Sequence, residues 1–280
     1  MNGPLAADIR SLSAIYHVVA TPDASSEFSP PSPVCLSPSA RRSKVLGIPE
    51  AWFAQAEPRV QELCRSLLDR LVSKQGYTTV PIEIPFLVEG QTAHALTILT
   101  DGATLLPETS KFAPANRILL ALGRATPATD YVLAQKLRQL QMQHLAYLWE
   151  KYPGMLIVTP TTACAGWRIN SKSELVYGVS DGDQTLRVME YVWLANFTGI
   201  PSISVPAGFT EPEKYAGEAS IPVGLMAMGE WGSEDQLLQW GADAETVGYE
   251  RYARPPSWVD VVARAKEEMK KAQAEQEVQH

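Results

Sequence analysis

The residues whose chemistry is easiest to imagine at work are the adjacent serine and lysine side chains Ser171, Lys172 and Ser173. A serine–lysine pair hydrolyses acyl bonds when burial keeps the lysine neutral enough to take the hydroxyl proton. In the run from Asn170 to Glu174 every neighbour is polar, so Lys172 is expected to be solvated and charged. Cys164, just beyond an apolar run, is a second candidate nucleophile. A thiol nucleophile needs a base, and no histidine is identifiable as its partner. The four histidines, His17, His94, His144 and His280, stand far apart. Metal ligands usually cluster, often as histidine pairs on one helical face, so no metal site is expected. His144 falls on an apolar helical stripe and reads as a core or boundary histidine. Ser25 and Ser26 read as linker. Among the acids, Glu234 and Asp235 suit the first turn of a helix, while Glu211, Glu213, Glu267 and Glu268 read as solvated surface. The densest glycine region, Gly224–Gly241, matches neither G-x-G-x-x-G nor a Walker loop, and no nucleotide site is expected.

The elements that would position these groups alternate between helix and strand. Leu5, Ile9, Leu12, Tyr16 and Val19 lie on one helical stripe that needs a partner surface from its first turn. Residues 21–43 are rich in proline and serine and are expected to form a long surface loop. Lys44–Ile48 is a strand candidate, and a helix follows from Pro58, with Val60, Leu63, Leu67 and Leu71 inward and Gly76 as its end. Val80, Ile82 and Ile84 alternate with polar positions, but Pro81 restricts that strand to a sheet edge or bulge. Helices are expected over 91–106 and over Thr126–Tyr152. In the second, Thr126 caps the helix and Leu133, Leu137, Leu140, His144 and Leu148 share a face. Met155–Thr159, closed by Pro160, reads as a buried strand. A polar stretch over 161–183 leads to a helix near Gln184–Phe197 that stops at Gly199. Ile203–Val205 and Val223–Met228 are further strands, joined by a loop over 211–220. Two last helices open with Ser233 and Gln236, and with Ser257 and Asp260. The fold class is therefore α/β, with a largely parallel or mixed sheet flanked by helices.

Composition narrows the function classes. A net charge of −7 over 280 residues argues against nucleic acid as a partner. No run approaches the ~18–20 consecutive apolar residues of a membrane span, and the first ten residues lack a secretory pattern. The three cysteines, Cys35, Cys64 and Cys164, are far apart and form neither a disulfide framework nor a zinc pattern. A reducing, cytoplasmic setting is expected.

Four segments resemble the amidase signature family, in family order. Asn196-Phe197-Thr198-Gly199-Ile200-Pro201-Ser202-Ile203-Ser204-Val205-Pro206-Ala207-Gly208-Phe209 is similar to its N-x-T-G-x-P-A-x-S-x-P-x-G segment. Ile221-Pro222-Val223-Gly224-Leu225-Met226-Ala227-Met228-Gly229 resembles the L-P-x-G-L-Q-x-x-G segment that follows. Leu156–Thr161 is similar to the family's strand ending in T-P-T, and Gly3-Pro4-Leu5-Ala6 to its G-P-L/M-A/T-R segment. The style of the stretch from Met226 to Glu245 is closest to fungal amidases.

The resemblance implies a partial amidase-signature fold: a single incomplete domain over 1–280, with the loop over 21–43 and a C-terminal helical tail over 257–280. It implies amide hydrolysis by a serine–cis-serine–lysine triad, with no cofactor and no metal. In that family the lysine and the serine-bearing loop precede the G-P-L segment, which here begins at Gly3. No catalytic residue is therefore carried onto this sequence, and the chain is expected to be inactive alone. The retained part would supply walls for a small amide substrate, with Thr161, Trp167 and Ser171 as candidates; Trp167 reads equally well as packing. The alternative is a non-catalytic interaction protein that forms a homodimer, or pairs with a chain carrying the missing half, to cover the exposed sheet. A third reading is a divergent hydrolase using Cys164. The tail starts with an apolar face at Val259, Val262, Ala263, Lys266 and Met269, turns wholly polar over 266–280, and reads as a solvated, fraying helix.

Overall fold

An apolar run between Gly154 and Pro160 forms a strand that both faces of the molecule cover: β3 (Leu156–Pro160) is buried at all five residues. β1 (Val45–Ile48) pairs with it in parallel and β5 (Ile221–Met228) antiparallel. β2 (Thr78–Pro81) adds parallel to β1, and β4 (Ser202–Thr210) antiparallel to β5. The result is a five-stranded mixed sheet in the order β2-β1-β3-β5-β4, as the α/β expectation requires. Pro81 lies in an edge strand, the place where its missing N–H does no harm. The structure, a computed structural model, describes residues 3–21, 25, 43–167, 169, 171–178, 181–211, 221–248, 259, 261 and 264–270.

Among the described residues up to 248 the helices are α1 (Ile9–Val19), α2 (Glu50–Phe53), α3 (Pro58–Gln75), α4 (Leu87–Leu105), α5 (Pro114–Ala125), α6 (Ala128–Lys151), α7 (Lys172–Tyr177), α8 (Gly182–Val188), α9 (Trp193–Thr198) and α10 (Glu234–Val247). α3 starts on Pro58 and ends at Gly76, as its signals predict, and buries Val60, Cys64, Leu67, Leu68 and Leu71. It packs on β3, β4 and β5, while α10 packs on β4 and on α3. Trp52, Trp193 and Trp240 are the bulkiest fully buried side chains of this core. α4, α5 and α6 pack together, and α9 meets α4 and α6.

Several expectations need correction. α6 buries Ala134, Gln141, Leu145, Leu148 and Trp149, and leaves Leu133 and Leu140 exposed. Its inward face includes Gln141, polar on paper, whose Nε2 donates to the Pro85 and Phe86 carbonyls. Thr126 does not cap α6; it closes α5, with its hydroxyl donating to the Leu122 carbonyl. α5 itself was not anticipated. The helix expected over 184–197 is two short helices, α8 and α9, and a further one, α7, forms in the polar stretch. Ser233 precedes α10 but makes no side-chain cap, because its hydroxyl is buried beside Gly229. The pairing of Ser257 with Asp260, most of the 21–43 loop and most of the 211–220 loop lie outside the described residues.

Residues Met1–Tyr249 form one compact unit and Glu250–His280 a second. In the second, the described residues 264–270 are helical and exposed, with an Arg264–Glu268 ion pair one turn apart at 3.2 Å.

The contact of α5 with α4 depends on Gly123, where a Cβ would collide with the Leu99 carbonyl. Gly123→Ala is expected to cost about 1–3 kcal/mol and lower the melting temperature by about 3–10 °C. Gly102→Ala, on the same pair of helices, meets only the Leu120 side chain at 3.4 Å and should gain about 0.5–1 kcal/mol of helix propensity. Differential scanning calorimetry separates the two; a Gly123→Ala chain melting like the wild type would contradict this packing.

Candidate functional site

Backbone hydrogen bonding decides which side of β4 is open. The Gly229 N–H donates to the Pro201 carbonyl at 3.0 Å. In an antiparallel ladder the pairs then alternate, so Ile203 and Val205 turn their backbone groups toward β5. Ser202 and Ser204 turn theirs outward, and among the described residues β4 is the last strand of the sheet. Their side chains are exposed, alternating with buried Ile203 and Val205.

The register places Thr159, Met226 and Ser204 side by side on one face. Just past β3, the Thr161 N–H donates to the Gly224 carbonyl at 2.8 Å. Its hydroxyl then lies 2.6 Å from the Ser204 hydroxyl. Gly224 makes room for this pair, since a Cβ there would stand 2.5 Å from Thr161 Oγ1 and 2.7 Å from Ser204 Oγ.

α1 lies beyond the same edge. Asp8 caps it, accepting from the Ser11 N–H at 2.7 Å, and this bond holds the Asp8 carboxyl below its ordinary pKa. Its stripe is only half-buried at Ile9, Leu12 and Tyr16, while Leu5 and Val19 are exposed. α1 is fastened to α10 by the Ile9 N–H on Glu245 Oε1 at 3.2 Å and by His17 beside Asp235 at 3.3 Å. Between α1 and β4 runs an open groove of about 700 Å³. One side is apolar, with Leu12, Tyr16, Leu237 and Leu238; the other is polar, with Thr161, Ser202, Ser204 and Asn196.

The segment Asn196–Phe209 builds this edge. Gly199 ends α9 at φ 76°, a conformation glycine adopts without strain, and its N–H donates to the Ala195 carbonyl at 2.9 Å. Trp231 Nε1 donates to the Thr198 carbonyl at 3.1 Å, and Pro201 then starts the chain into β4.

Of the residues singled out in the sequence, Thr161 lies in the groove; Trp167 and Ser171 are not among its lining residues. Trp167 is half-buried. Ser171 is exposed and caps α7, accepting from the Glu174 N–H at 3.3 Å. Its hydroxyl also pairs with that of Ser173 at 2.8 Å. Lys172 is exposed, as is every lysine among the described residues, so none is buried beside a serine. His144 is a boundary residue, its Nε2 at 2.8 Å from the Glu83 carbonyl. His94 is buried edge-on to Phe197, and burial lowers its pKa; His280 lies outside the described residues. Among the described residues no cluster of three histidine, cysteine or acidic side chains is placed to hold a metal ion. Sequence reasoning missed Ser204 and Asn196. The alternation Ser202-Ile203-Ser204-Val205 signals a one-sided strand, but nothing in it announces Thr161, 43 residues away.

Cys164 is only 8% exposed. Burial pushes its thiol pKa up, the Glu57 charge adds to this, and Arg187 opposes it. Burial pushes Cys64 up to about 12. A raised thiol pKa leaves little thiolate at neutral pH, which disfavours a cysteine nucleophile. Iodoacetamide is therefore expected to alkylate Cys64 and Cys164 slowly at pH 7, accelerating about tenfold per pH unit toward pH 9. Mass spectrometry reads the modification at each site, and rapid stoichiometric labelling of Cys164 at pH 7 would contradict this.

The Amidase family model matches residues 1–238. The chain is similar to the fatty acid amide hydrolase of Medicago truncatula, 30% identical over 93% of this chain and 44% of the plant protein. It is 28% identical to that of Oryza sativa subsp. japonica over 92% of this chain and 43% of the relative. It is 25% identical to a glutamyl-tRNA(Gln) amidotransferase subunit of Methanospirillum hungatei, over 84% of this chain and 58% of that one. Among solved structures, the corresponding subunit of the Thermotoga maritima amidotransferase superposes at TM-score 0.66 and 18% identity, over 90% of this chain and 54% of the other. 6-Aminohexanoate cyclic dimer hydrolase with bound substrate superposes at 0.65 and 15%, over 89% and 55%. The chain thus spans less than half the length of the plant relatives it matches.

Proposed function

The chain belongs to the amidase family, whose model matches residues 1–238, and from that premise we propose that it is the non-catalytic portion of an amide hydrolase. It provides the sheet and one wall of the site in which a carbon–nitrogen bond is cleaved, and the acyl-transfer machinery comes from outside these residues. The observation that carries this reading is the exposure of every described lysine. A lysine acting as base toward serine needs a desolvated setting to be neutral, and none of these has one. Thr161 forms part of the wall, held in place by Ser204 and by the Gly224 backbone. Trp167 and Ser171 do not line the groove and carry no part of this reading.

A second reading is an interaction protein that forms a homodimer or pairs with a partner chain. The open side of β4 favours it. So does the similarity to a protein named as one subunit of an amidotransferase. No helix among the described residues is long and apolar enough to cross a membrane. With its cysteines apart and two of them free and buried, we place the chain in a reducing, cytoplasmic compartment.

The purified chain, offered a chromogenic anilide, is expected to release amine no faster than buffer, and Ser171→Ala and Lys172→Ala to behave identically. Turnover by the chain alone that either substitution abolishes would overturn the proposal and restore the serine–lysine pair.

A further inference from the structure

The stripe of α6 that the sequence marks for burial is turned outward. Leu133 and Leu140 are 61% and 53% exposed, and Tyr147, one seven-residue step further along, is 55% exposed. Leu137 and His144, on the same face, are half-buried. The helix is anchored instead through Ala134, Gln141, Leu145, Leu148 and Trp149. One exposed apolar residue every seven is the narrow seam by which two helices pair. It is not the broad apolar face, flanked by basic residues, of a helix lying on a membrane.

Charges of both signs border the seam. Lys136 and Glu150 are exposed. Neither has an ion-pair partner among the described residues. At 3.6 residues per turn they fall about 40° and 80° from Leu140 in the same rotational sense, so they share one edge of the stripe.

We infer that this face of α6 is the surface on which two copies of the chain pair, antiparallel, with Leu140 against Leu140 of the second copy. Leu133 then lies beside Tyr147 of the second copy, because each is seven residues from Leu140. Lys136 and Glu150 of the second copy stand about 9 Å apart along the helix axis, on the same side of the seam. Helical side chains lean toward their own N-terminus, so in an antiparallel pair these two lean toward each other. Two-fold symmetry makes the contact twice. A parallel pair would set like charges together at both positions. Because one helix supplies both halves of every contact, the occupant is a second copy and not an unrelated partner. The inference gives the homodimer reading a surface and is independent of the hydrolase reading.

Sedimentation equilibrium of the full chain tests it. A single helix pair is a small interface, so a monomer–dimer equilibrium with a dissociation constant of about 1–100 µM is expected. Leu140→Glu changes an exposed position and should raise that constant about tenfold or more. Lys136→Glu sets two acids together and should raise it about three- to tenfold. Adding Glu150→Lys should return it to within about twofold of the wild type. This exchange keeps both side chains in solvent, so it reads the pairing even if Leu140→Glu lowers the melting temperature. Three results would overturn the inference: a chain still monomeric at about 200 µM, a dimer that Leu140→Glu leaves intact, or a dimer in which the double exchange restores nothing. Amide turnover is scored separately on the same samples. Turnover by the chain would remove the non-catalytic reading and leave the α6 surface standing, whereas loss of the dimer would leave that reading untouched.

Discussion

A strand's backbone groups point alternately to its two sides, and among the described residues β4 has a neighbouring strand on only one of them. The Pro201–Gly229 hydrogen bond sets that alternation, and the features of the candidate site follow from it. Ile203 and Val205 are committed to the sheet and the core. Ser202 and Ser204 are left to whatever lies beyond. The same register brings Ser204 to Thr161, with Gly224 between them on the one strand where a side chain would force the hydroxyls apart. Moving the ladder by one residue would exchange these roles and bury the serines.

The rest of the unit serves to hold that ladder still. β3 is buried throughout and joins the parallel pair β2–β1 to the antiparallel pair β5–β4, so its far end delivers Thr161 to a fixed place. α3 and α10 lie against β4, with Trp240 fully buried. α1 is attached more lightly. It buries no residue completely, and two of its ties to α10 are the Ile9 N–H on Glu245 and the exposed His17–Asp235 pair. Exposed ion pairs contribute little, so α1 is held mainly by its half-buried stripe.

Local signals in the sequence located most of the strands and the ends of several helices. Pro58 and Gly76 bound α3, Gly199 and Pro201 mark the turn into β4, and Pro160 closes β3, because proline and glycine act on their own backbone regardless of context. What depended on partners was not legible. The buried face of α6 includes Gln141, whose partners are the Pro85 and Phe86 carbonyls, and no periodicity contains them. Ser233 looks like a cap, yet its hydroxyl lies against Gly229. The groove was the least readable part, since it joins residues near positions 12, 161, 204 and 237 through tertiary pairing alone. Of the four family-like segments, by contrast, three fall on β3, β4 and β5, and the fourth, Gly3–Ala6, lines the groove ahead of α1.

A scaffold without an activated serine, which is what the described residues are held to form, makes a direct chemical prediction. An organofluorophosphonate phosphonylates a serine hydroxyl that a neighbouring base has activated and leaves ordinary hydroxyls untouched. Intact mass spectrometry of the chain after such treatment is predicted to show the unmodified mass. A stoichiometric single adduct on any serine of this chain would contradict the claim.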